Sequence, residues 1–251
     1  MRLSFRSARR KIHRLLRSRV VRVDGVRLLA HHPLVPDEVR DLICRATLED
    51  GERALVRSLL RPEDRVLEIG TGTGLVALVC AGIVGPGHLL SYEANPLNEP
   101  LIRANFALNG RAPNLRMKAV TADGAPLRFH AAENLISSSS RDRRRPAKLI
   151  EVPSDPIATA IADHRPTVIV IDVEGAEIDI LPVADLSGVR AILVELHPDI
   201  VGEAAITSLL DLLCHQGFVP ARTLHRNTLF VRRTGPSRPG TDDSPFRIPR
   251  A

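Results

Sequence analysis

Three glycines at alternate positions, Gly70, Gly72 and Gly74, are the sharpest local signal in the chain because a short apolar run leads directly into them. The run RVLEI has the composition of a buried strand, and the residues after the glycines have that of a helix. Glycine at such a strand-to-helix turn lets a ligand come close to the backbone, where a Cβ atom would collide. The spacing is GxGxG and not the dinucleotide GxGxxG, so a pyrophosphate over the helix start is less well supported.

Two acidic residues flank this turn in the positions where a nucleoside would need them. Glu68 lies two residues before the first glycine, where a carboxylate suits a cationic amino group and repels a phosphate. Glu93 ends the next predicted strand, 23 residues after Gly70, where an acid can accept both ribose hydroxyls. With no P-loop lysine, the two carboxylates favour S-adenosylmethionine over NAD or ATP. The alternatives are a solvated strand end for Glu93 and a Glu68 that only accepts bonds from backbone amides.

The later strands also end in groups that can do chemistry. Asp172 follows the wholly apolar run TVIVI, and an acid emerging there is costly to place without a purpose. His197 follows the fifth strand, in VELHP, where an imidazole can deprotonate a hydroxyl near neutral pH. A packed imidazole before Pro198 is an equally good interpretation. Glu177 is balanced between a site role and a cap or ion pair within its helix, and Asp123 fits turn chemistry better than ligand binding.

A divalent metal is a weaker alternative at the same place. Asp172, Glu174 and Glu195 carry hard carboxylate oxygens of the kind that magnesium prefers. No cysteine or histidine spacing predicts a zinc site, and we therefore expect a site without metal.

The elements that must position these residues alternate between helices and short buried strands from residue 50 onward. Four of the predicted strands are near-continuous apolar runs, which is typical of strands covered on both faces of a parallel sheet. The predicted fold is α/β, with a doubly wound, mostly parallel seven-stranded sheet that closes with a C-terminal antiparallel hairpin, GFVPA and TLFVRR. The segment LRMKAV is predicted as one strand of this sheet.

The charge of +6 on 251 residues is divided unevenly between the tails and the body. Residues 1–22 carry +9 and residues 232–251 carry +3, so residues 23–231 carry −6. We predict a basic amphipathic helix over 1–22, a hairpin and lid region over 23–49, the main domain over 50–233 and a disordered tail over 234–251. Residues 132–147 hold four serines and four arginines and predict a loop, either a solvated insertion or a substrate lid.

Cysteine usage and hydropathy predict a cytoplasmic protein. The three cysteines, Cys44, Cys80 and Cys214, are odd in number and lie beside apolar residues, as reduced core thiols do. The longest apolar run, from Leu75 to Val84, is far below the roughly 20 residues that a bilayer demands. The first twenty residues hold arginines where a signal peptide needs an apolar centre, so we expect neither a transmembrane span nor export.

From about residue 50 to 232 the sequence resembles the FkbM family of S-adenosylmethionine-dependent methyltransferases of class I. The resemblance is carried by the glycine strand, by SYEANPLNEPLIRANFALNG, and above all by IDVEGAEIDIL followed by LVELHP. The chain departs from the family where GTGTG replaces the commoner GANIG and where EVPSDPIATAI lacks a Leu-Asp pair.

The resemblance implies a cofactor, a Rossmann-like fold and roles for individual residues. S-adenosylmethionine would be bound on its methionine side by Gly70, Gly72 and Gly74, with Glu68 where the family usually has Asp. Glu93 would hold the ribose and Asp123 would reach the adenine amino group. The motif acids Asp172, Glu174 and Glu177 would face the transferable methyl group.

Together these features predict O-methylation of a hydroxyl on a small molecule or a glycan, with Asp172 or His197 orienting or deprotonating it. An RNA methyltransferase is the second hypothesis, since the basic amino terminus could grip phosphates. The acidic body, one Tyr and no Trp count against it. A cofactor-binding module without chemistry is the third, and the acids at 93 and 172 argue against it. Oligomeric state and the identity of the acceptor stay open.

Overall fold

The structure is a computed structural model, and it describes residues 5–131 and 148–233. The described residues form nine α-helices: α1 Phe5–Leu15, α2 Asp37–Arg45, α3 Asp50–Leu59, α4 Leu75–Val84, α5 Glu99–Leu108, α6 Ile157–His164, α7 Glu177–Ile180, α8 Pro198–Val201 and α9 Glu203–His215. They also form thirteen strands: β1 Val20–Val23, β2 Val26–Leu29, β3 Val66–Ile69, β4 Leu89–Tyr92, β5 Leu115–Arg116, β6 Ala119–Thr121, β7 Leu127–Ala131, β8 Lys148–Val152, β9 Ser154–Pro156, β10 Val168–Ile171, β11 Ala191–Glu195, β12 Phe218–Leu224 and β13 Asn227–Arg232.

Seven of these strands form one sheet in the order β12-β13-β11-β10-β3-β4-β5. The strands from β11 to β5 pair in parallel, and β13 runs antiparallel to both of its neighbours. The chain runs outward from β3 to β5 and then returns to β10 on the other side of β3, so the strand order reverses between β3 and β10. Ligands of such sheets bind at this reversal, outside the carboxyl ends of the strands. The predicted doubly wound sheet with its antiparallel hairpin is confirmed.

The central strands form because consecutive residues are all apolar and both faces of the sheet are covered. Val66 and Val168 pack into one core with the β1–β2 hairpin, α3, α4 and α5. Their neighbours Leu67 and Ile169 point the other way, into a second core with α6, α7 and α9. Alternate side chains of one strand thus enter opposite cores, which explains why these runs show no polar alternation.

The segment LRMKAV does not form the single strand that we predicted. Its first half is β5 of the main sheet, whereas its second half is β6, which pairs with β9 in a separate ribbon. The division is stabilised by charge, because Asp155 of β9 binds both Lys118 Nζ at 2.6 Å and Arg116 Nη1 at 3.4 Å. The sequence-based prediction missed β9 and α6, which both belong to the region EVPSDPIATAI.

The amino-terminal region contains the predicted hairpin and a shorter helix than 1–22. Strands β1 and β2 pair antiparallel around Asp24 and Gly25, while α1 ends at Leu15. Leu15 and Leu16 lie 86% and 69% exposed at the end of this helix. No helix in residues 5–131 and 148–233 is long and apolar enough to cross a bilayer. The loop predicted at 132–147 and the tail predicted at 234–251 lie outside the described residues.

Candidate active site

The glycine turn brings β3 into direct contact with the end of β10. Gly70 has φ of +95°, and a Cβ atom on it would lie 1.9 Å from the carbonyl oxygen of Asp172. Its N–H donates to the carbonyl of Tyr92 at 3.0 Å, while the Asp172 N–H donates to the carbonyl of Ile69 at 3.0 Å. Gly70 is therefore required by the close approach of the backbones as well as by any ligand.

The other two glycines have separate roles in the turn. Gly74 has φ of +81° and precedes α4, where a Cβ would touch Ile102 at 3.4 Å. Gly72 has φ of +55° and more room, since the nearest atom to a Cβ placed on it would be Glu49 Oε1 at 3.7 Å. Its N–H donates to Glu93 Oε2 at 2.8 Å. Gly72 is therefore the glycine whose surroundings leave space beside the backbone.

Glu68 and Glu93 both lie beside the turn and are both buried. Glu68 Oε2 accepts from Thr71 Oγ1 at 3.0 Å, and the hydroxyl of Ser91, its register partner on β4, also hydrogen-bonds to the carboxylate. Burial raises the pKa of Glu68 to about 7. Glu93 accepts N–H bonds from Gly72 and Asn95, each at 2.8 Å, and burial raises its pKa despite them. Glu93 thus ties β4 to the glycine turn, while Glu68 bonds to the hydroxyl groups of Thr71 in the turn and Ser91 in β4.

Two further acids of the site, Glu49 and Glu52, come from α3 and its preceding residue, and sequence reasoning missed them. Burial and the charges of neighbouring carboxylates raise the pKa of Glu49 to about 8 and that of Glu52 well above its ordinary value. The charges acting on Glu52 include those of Asp172, Glu68 and Glu195. The charges of Glu49, Glu52, Glu68, Asp172 and Glu195 therefore interact with one another, and we call this group of acids the acidic crevice.

A signal for Glu52 was present in the sequence. It lies at helical spacing with Leu55, Val56 and Leu59, all on the buried face of α3. A charged residue on the apolar face of a helix indicates a buried acid with a specific role. No comparable signal marks Glu49, whose position depends on how α3 begins.

His197 lies at the centre of the carboxylates that follow β10 and β11. Its Nδ1 is 3.1 Å from Oε1 of Glu177, a residue that is fully buried and also accepts the Val173 N–H at 3.1 Å. Its Nε2 faces three more carboxylate oxygens, Glu174 Oε2 at 3.4 Å, Asp172 Oδ1 at 3.7 Å and Glu195 Oε1 at 3.8 Å. The structure thus brings together all the predicted acids of the two strand ends around one imidazole.

The charges of this cluster shift the titration of its members. Burial lowers the pKa of His197, but the bond to Glu177 and the charges of the other acids outweigh it and raise the pKa to about 9. Burial, together with the charges of Glu195 and Glu174, raises the pKa of Asp172 well above its ordinary value. Asp172 Oδ1 is buried and accepts no hydrogen bond. At neutral pH the imidazole is protonated and balances part of the negative charge.

The same cluster could also hold a metal ion. Asp172, Glu177 and His197 each offer one ligand atom, and these atoms lie within 4.8 Å of one another. The set differs from the one that the sequence suggested. Both contain Asp172, but the structure adds Glu177 and His197, where the sequence suggested Glu174 and Glu195.

Asp123 is the predicted site residue that the structure does not connect to the others. It is exposed on the turn between β6 and β7, and its Oδ1 accepts the Ala125 N–H at 2.9 Å. Gly124 beside it has φ of +83°. This is the turn geometry that aspartate and glycine favour, and a contact of Asp123 with adenine stays a prediction.

Comparison with known proteins gives one family match that covers more than half of the chain. The family model described as "Methyltransferase FkbM domain" matches residues 69–220. The protein-lysine N-methyltransferase EFM3 of Chaetomium thermophilum is 35% identical over 65 residues. That match covers 26% of this chain, and the chain spans only about a fifth (19%) of that relative.

Solved structures give similarities at low sequence identity. The ribosomal protein L11 methylase of Lactobacillus delbrueckii subsp. bulgaricus is 14% identical with a TM-score of 0.46, covering 86% of this chain and 99% of that one. Trm5b of Pyrococcus abyssi is 14% identical with a TM-score of 0.43, covering 84% of this chain and 53% of that one.

Proposed function

This chain belongs to the FkbM methyltransferase family, and we propose that it is an S-adenosylmethionine-dependent enzyme that methylates a hydroxyl oxygen on a small molecule or a glycan. The observation that carries the proposal is the acidic crevice itself. Burial raises the pKa values of Glu49, Glu68 and Asp172, and the buried oxygen Asp172 Oδ1 accepts no hydrogen bond. Such a site favours a cationic ligand, and S-adenosylmethionine carries a sulfonium and an ammonium group.

The residues present fit this cofactor. The positive φ of Gly70 and Gly72 and the space beside Gly72 leave backbone where a nucleoside's methionine portion can lie. Glu93 is at the end of β4, where an acid suits the ribose hydroxyls. When bound, S-adenosylmethionine supplies an activated methyl group.

The chain's contribution to the transfer is positioning and proton removal. The donor would supply its methyl group to the acceptor oxygen, and its sulfur would keep the electron pair of the bond that breaks, so the chain's residues need only align the two groups and take up the hydroxyl proton. The hydroxyl proton passes to Asp172, whose raised pKa makes it a better base than an ordinary aspartate. His197 is the poorer base because it is already protonated at neutral pH; its Nε2 lies 3.7 Å from Asp172 Oδ1 and attracts that carboxylate, and Glu174, 3.4 Å from the same nitrogen, stabilises the imidazolium.

The first experiment is calorimetry with S-adenosylmethionine and S-adenosylhomocysteine, followed by an assay for released S-adenosylhomocysteine with a panel of hydroxylated small molecules and glycans. We expect binding of both nucleosides and product release with a hydroxylated acceptor. Binding without release on any acceptor would support a silent cofactor-binding module. Absence of binding, with uptake of a phosphorylated nucleotide instead, would contradict the proposal.

One observation favours RNA as a second candidate acceptor. A cavity of about 620 Å³ between the β1–β2 hairpin and α4 is lined by four arginines, Arg22, Arg27, Arg57 and Arg111. Arginines at this density can bind phosphates, and such binding weakens as salt rises. Salt-sensitive retention of RNA, lost when Arg22 and Arg27 are changed to Gln, would favour this candidate, whereas retention of no RNA at low salt would remove it.

A further inference from the structure

Glu49 reaches the glycine turn from outside the β3–α4 unit. It is the residue before α3, and its φ of +50° lies in the left-handed region that few residues other than glycine adopt. Held this way, its Oε1 lies 3.7 Å from the place that a Cβ on Gly72 would occupy. The backbone amide of Val76, in the first turn of α4, hydrogen-bonds to the carboxylate. A strained backbone that aims one side chain at a ligand turn is typical of functional sites.

One oxygen of the Glu49 carboxylate has no hydrogen-bond partner among the described residues. Oε2 is buried and accepts no hydrogen bond. The neighbouring charges are mostly of the same sign, since Glu68 and Glu195 both raise the pKa of Glu49. Arg53 is the cation that acts on it, but its guanidinium binds Asp24 and the carbonyls of Leu48 and Ala46. A buried carboxylate oxygen with this environment calls for a positively charged donor from a ligand.

We infer that Glu49 binds the α-ammonium group of the methionine portion of the donor, an inference that rests on the proposed function. The ammonium has three N–H donors and can satisfy Glu49 Oε2, whereas the sulfonium has none. The sulfonium must also keep its methyl group toward the acceptor, which a carboxylate in contact with it would obstruct. Glu68 is less suited to this role because it lies almost completely buried in β3 and already accepts from Thr71 and Ser91.

The test compares two nucleosides that differ in the amino-acid portion. S-adenosylhomocysteine has the α-ammonium, and 5′-methylthioadenosine lacks it. We expect Glu49→Gln to lower the affinity for S-adenosylhomocysteine by about tenfold or more in calorimetry. This is the loss typical of a charge-assisted hydrogen bond. Binding of 5′-methylthioadenosine should stay within about twofold by the same reasoning. Glu38→Gln, an exposed glutamate of α2, is the matched control and should change neither affinity.

The outcomes separate this inference from the proposed function. If Glu49→Gln lowers the affinity for both nucleosides equally, Glu49 only shapes the turn. If it lowers neither affinity, Glu49 does not contact the ligand. Either result overturns the inference. If the wild-type protein binds neither nucleoside, the proposed function itself fails. Should Glu49→Gln not fold, the wild-type protein still decides, because equal affinity for S-adenosylhomocysteine and its deaminated analogue would overturn the inference.

Discussion

Two buried acids four residues apart, Asp64 just before β3 and Glu68 near its carboxyl end, have opposite electrostatic environments. Asp64 Oδ1 accepts from Thr167 Oγ1 at 2.8 Å and from Arg190 Nε at 2.7 Å. Its Oδ2 accepts the Arg61 N–H at 2.7 Å and a second bond from Arg190. Burial alone would raise the pKa of Asp64, but these bonds outweigh it and lower the pKa. Glu68, by contrast, bonds to the hydroxyl groups of Thr71 and Ser91 and lies near the charge of Glu93, and burial raises its pKa to about 7.

The contrast separates an acid that the protein pairs with a cation from one that it buries beside other acids. Both side chains are removed from water, so both would be costly as isolated charges. At the amino end of the sheet the protein supplies the counter-charge itself, from Arg190. At the carboxyl end it leaves several carboxylates together, which lowers stability and is typical of binding sites.

The largest effect on stability is expected from removing Asp64, the acid that is paired with Arg190. Asp64→Ala leaves Arg190 without its partner and should lower the free energy of unfolding by about 3 kcal/mol. Urea unfolding followed by circular dichroism measures this. Glu63→Gln, an exposed neighbour, is the control and should change little. A loss below about 1 kcal/mol would mean that the pairing at the amino end is not what distinguishes the two ends.

The two acids should also give opposite dependences of stability on pH. Glu68 binds its proton more tightly in the folded state, so the stability it contributes is present at low pH and is lost as pH rises from its ordinary value through about 7. Asp64 binds its proton less tightly in the folded state, so its contribution is present at neutral pH and is lost as pH falls below its ordinary value.

The measurement is the difference in unfolding free energy between wild type and Glu68→Gln, or Asp64→Asn, across pH 3 to 8. We expect the Glu68 difference to fall with rising pH by no more than about 1.4 kcal/mol per pH unit, and the Asp64 difference to rise. The charge of Glu68 interacts with Glu93 and raises the pKa of Glu49, so replacing Glu68 also lowers the proton affinity of these acids and adds to that one-proton slope with the same sign. Slopes of the same sign for both residues would contradict the comparison.

A smaller effect, confined to turnover, is expected at Asp172. Asp172→Asn keeps a similar shape but cannot accept the hydroxyl proton, and we expect turnover to fall at least about tenfold, equivalent to about 1.4 kcal/mol. Affinity for S-adenosylhomocysteine should change little, because the role is in the transfer step. Asp185→Asn, an exposed aspartate in a turn, serves as the control. Normal turnover of Asp172→Asn would remove Asp172 from the chemistry.

The strands β3, β4 and β10 could be predicted from the sequence because each is a nearly continuous apolar run. Glu68, Glu93 and Asp172 could be predicted with them, since each lies at the end of such a run. Glu49 could not, because its side chain meets the turn only after α3 docks on the sheet with a left-handed residue before it. The division of LRMKAV was equally hidden, since it depends on Asp155, which lies 37 residues beyond Lys118.

Removing divalent cations is expected to leave turnover unchanged, which is the smallest of these effects. The Nε2 of His197 faces carboxylate oxygens of Glu174, Asp172 and Glu195 at 3.4, 3.7 and 3.8 Å, so a protonated imidazole gives the cluster a cation without a metal. Turnover after dialysis against EDTA should therefore equal that of the untreated enzyme, and added Mg²⁺ or Mn²⁺ should not raise it. The atoms of Asp172, Glu177 and His197 are close enough to bind an ion, which makes the experiment decisive. Activity lost to EDTA and restored by one of these ions would show that the carboxyl end of the sheet, like the amino end, is completed by a fixed cation.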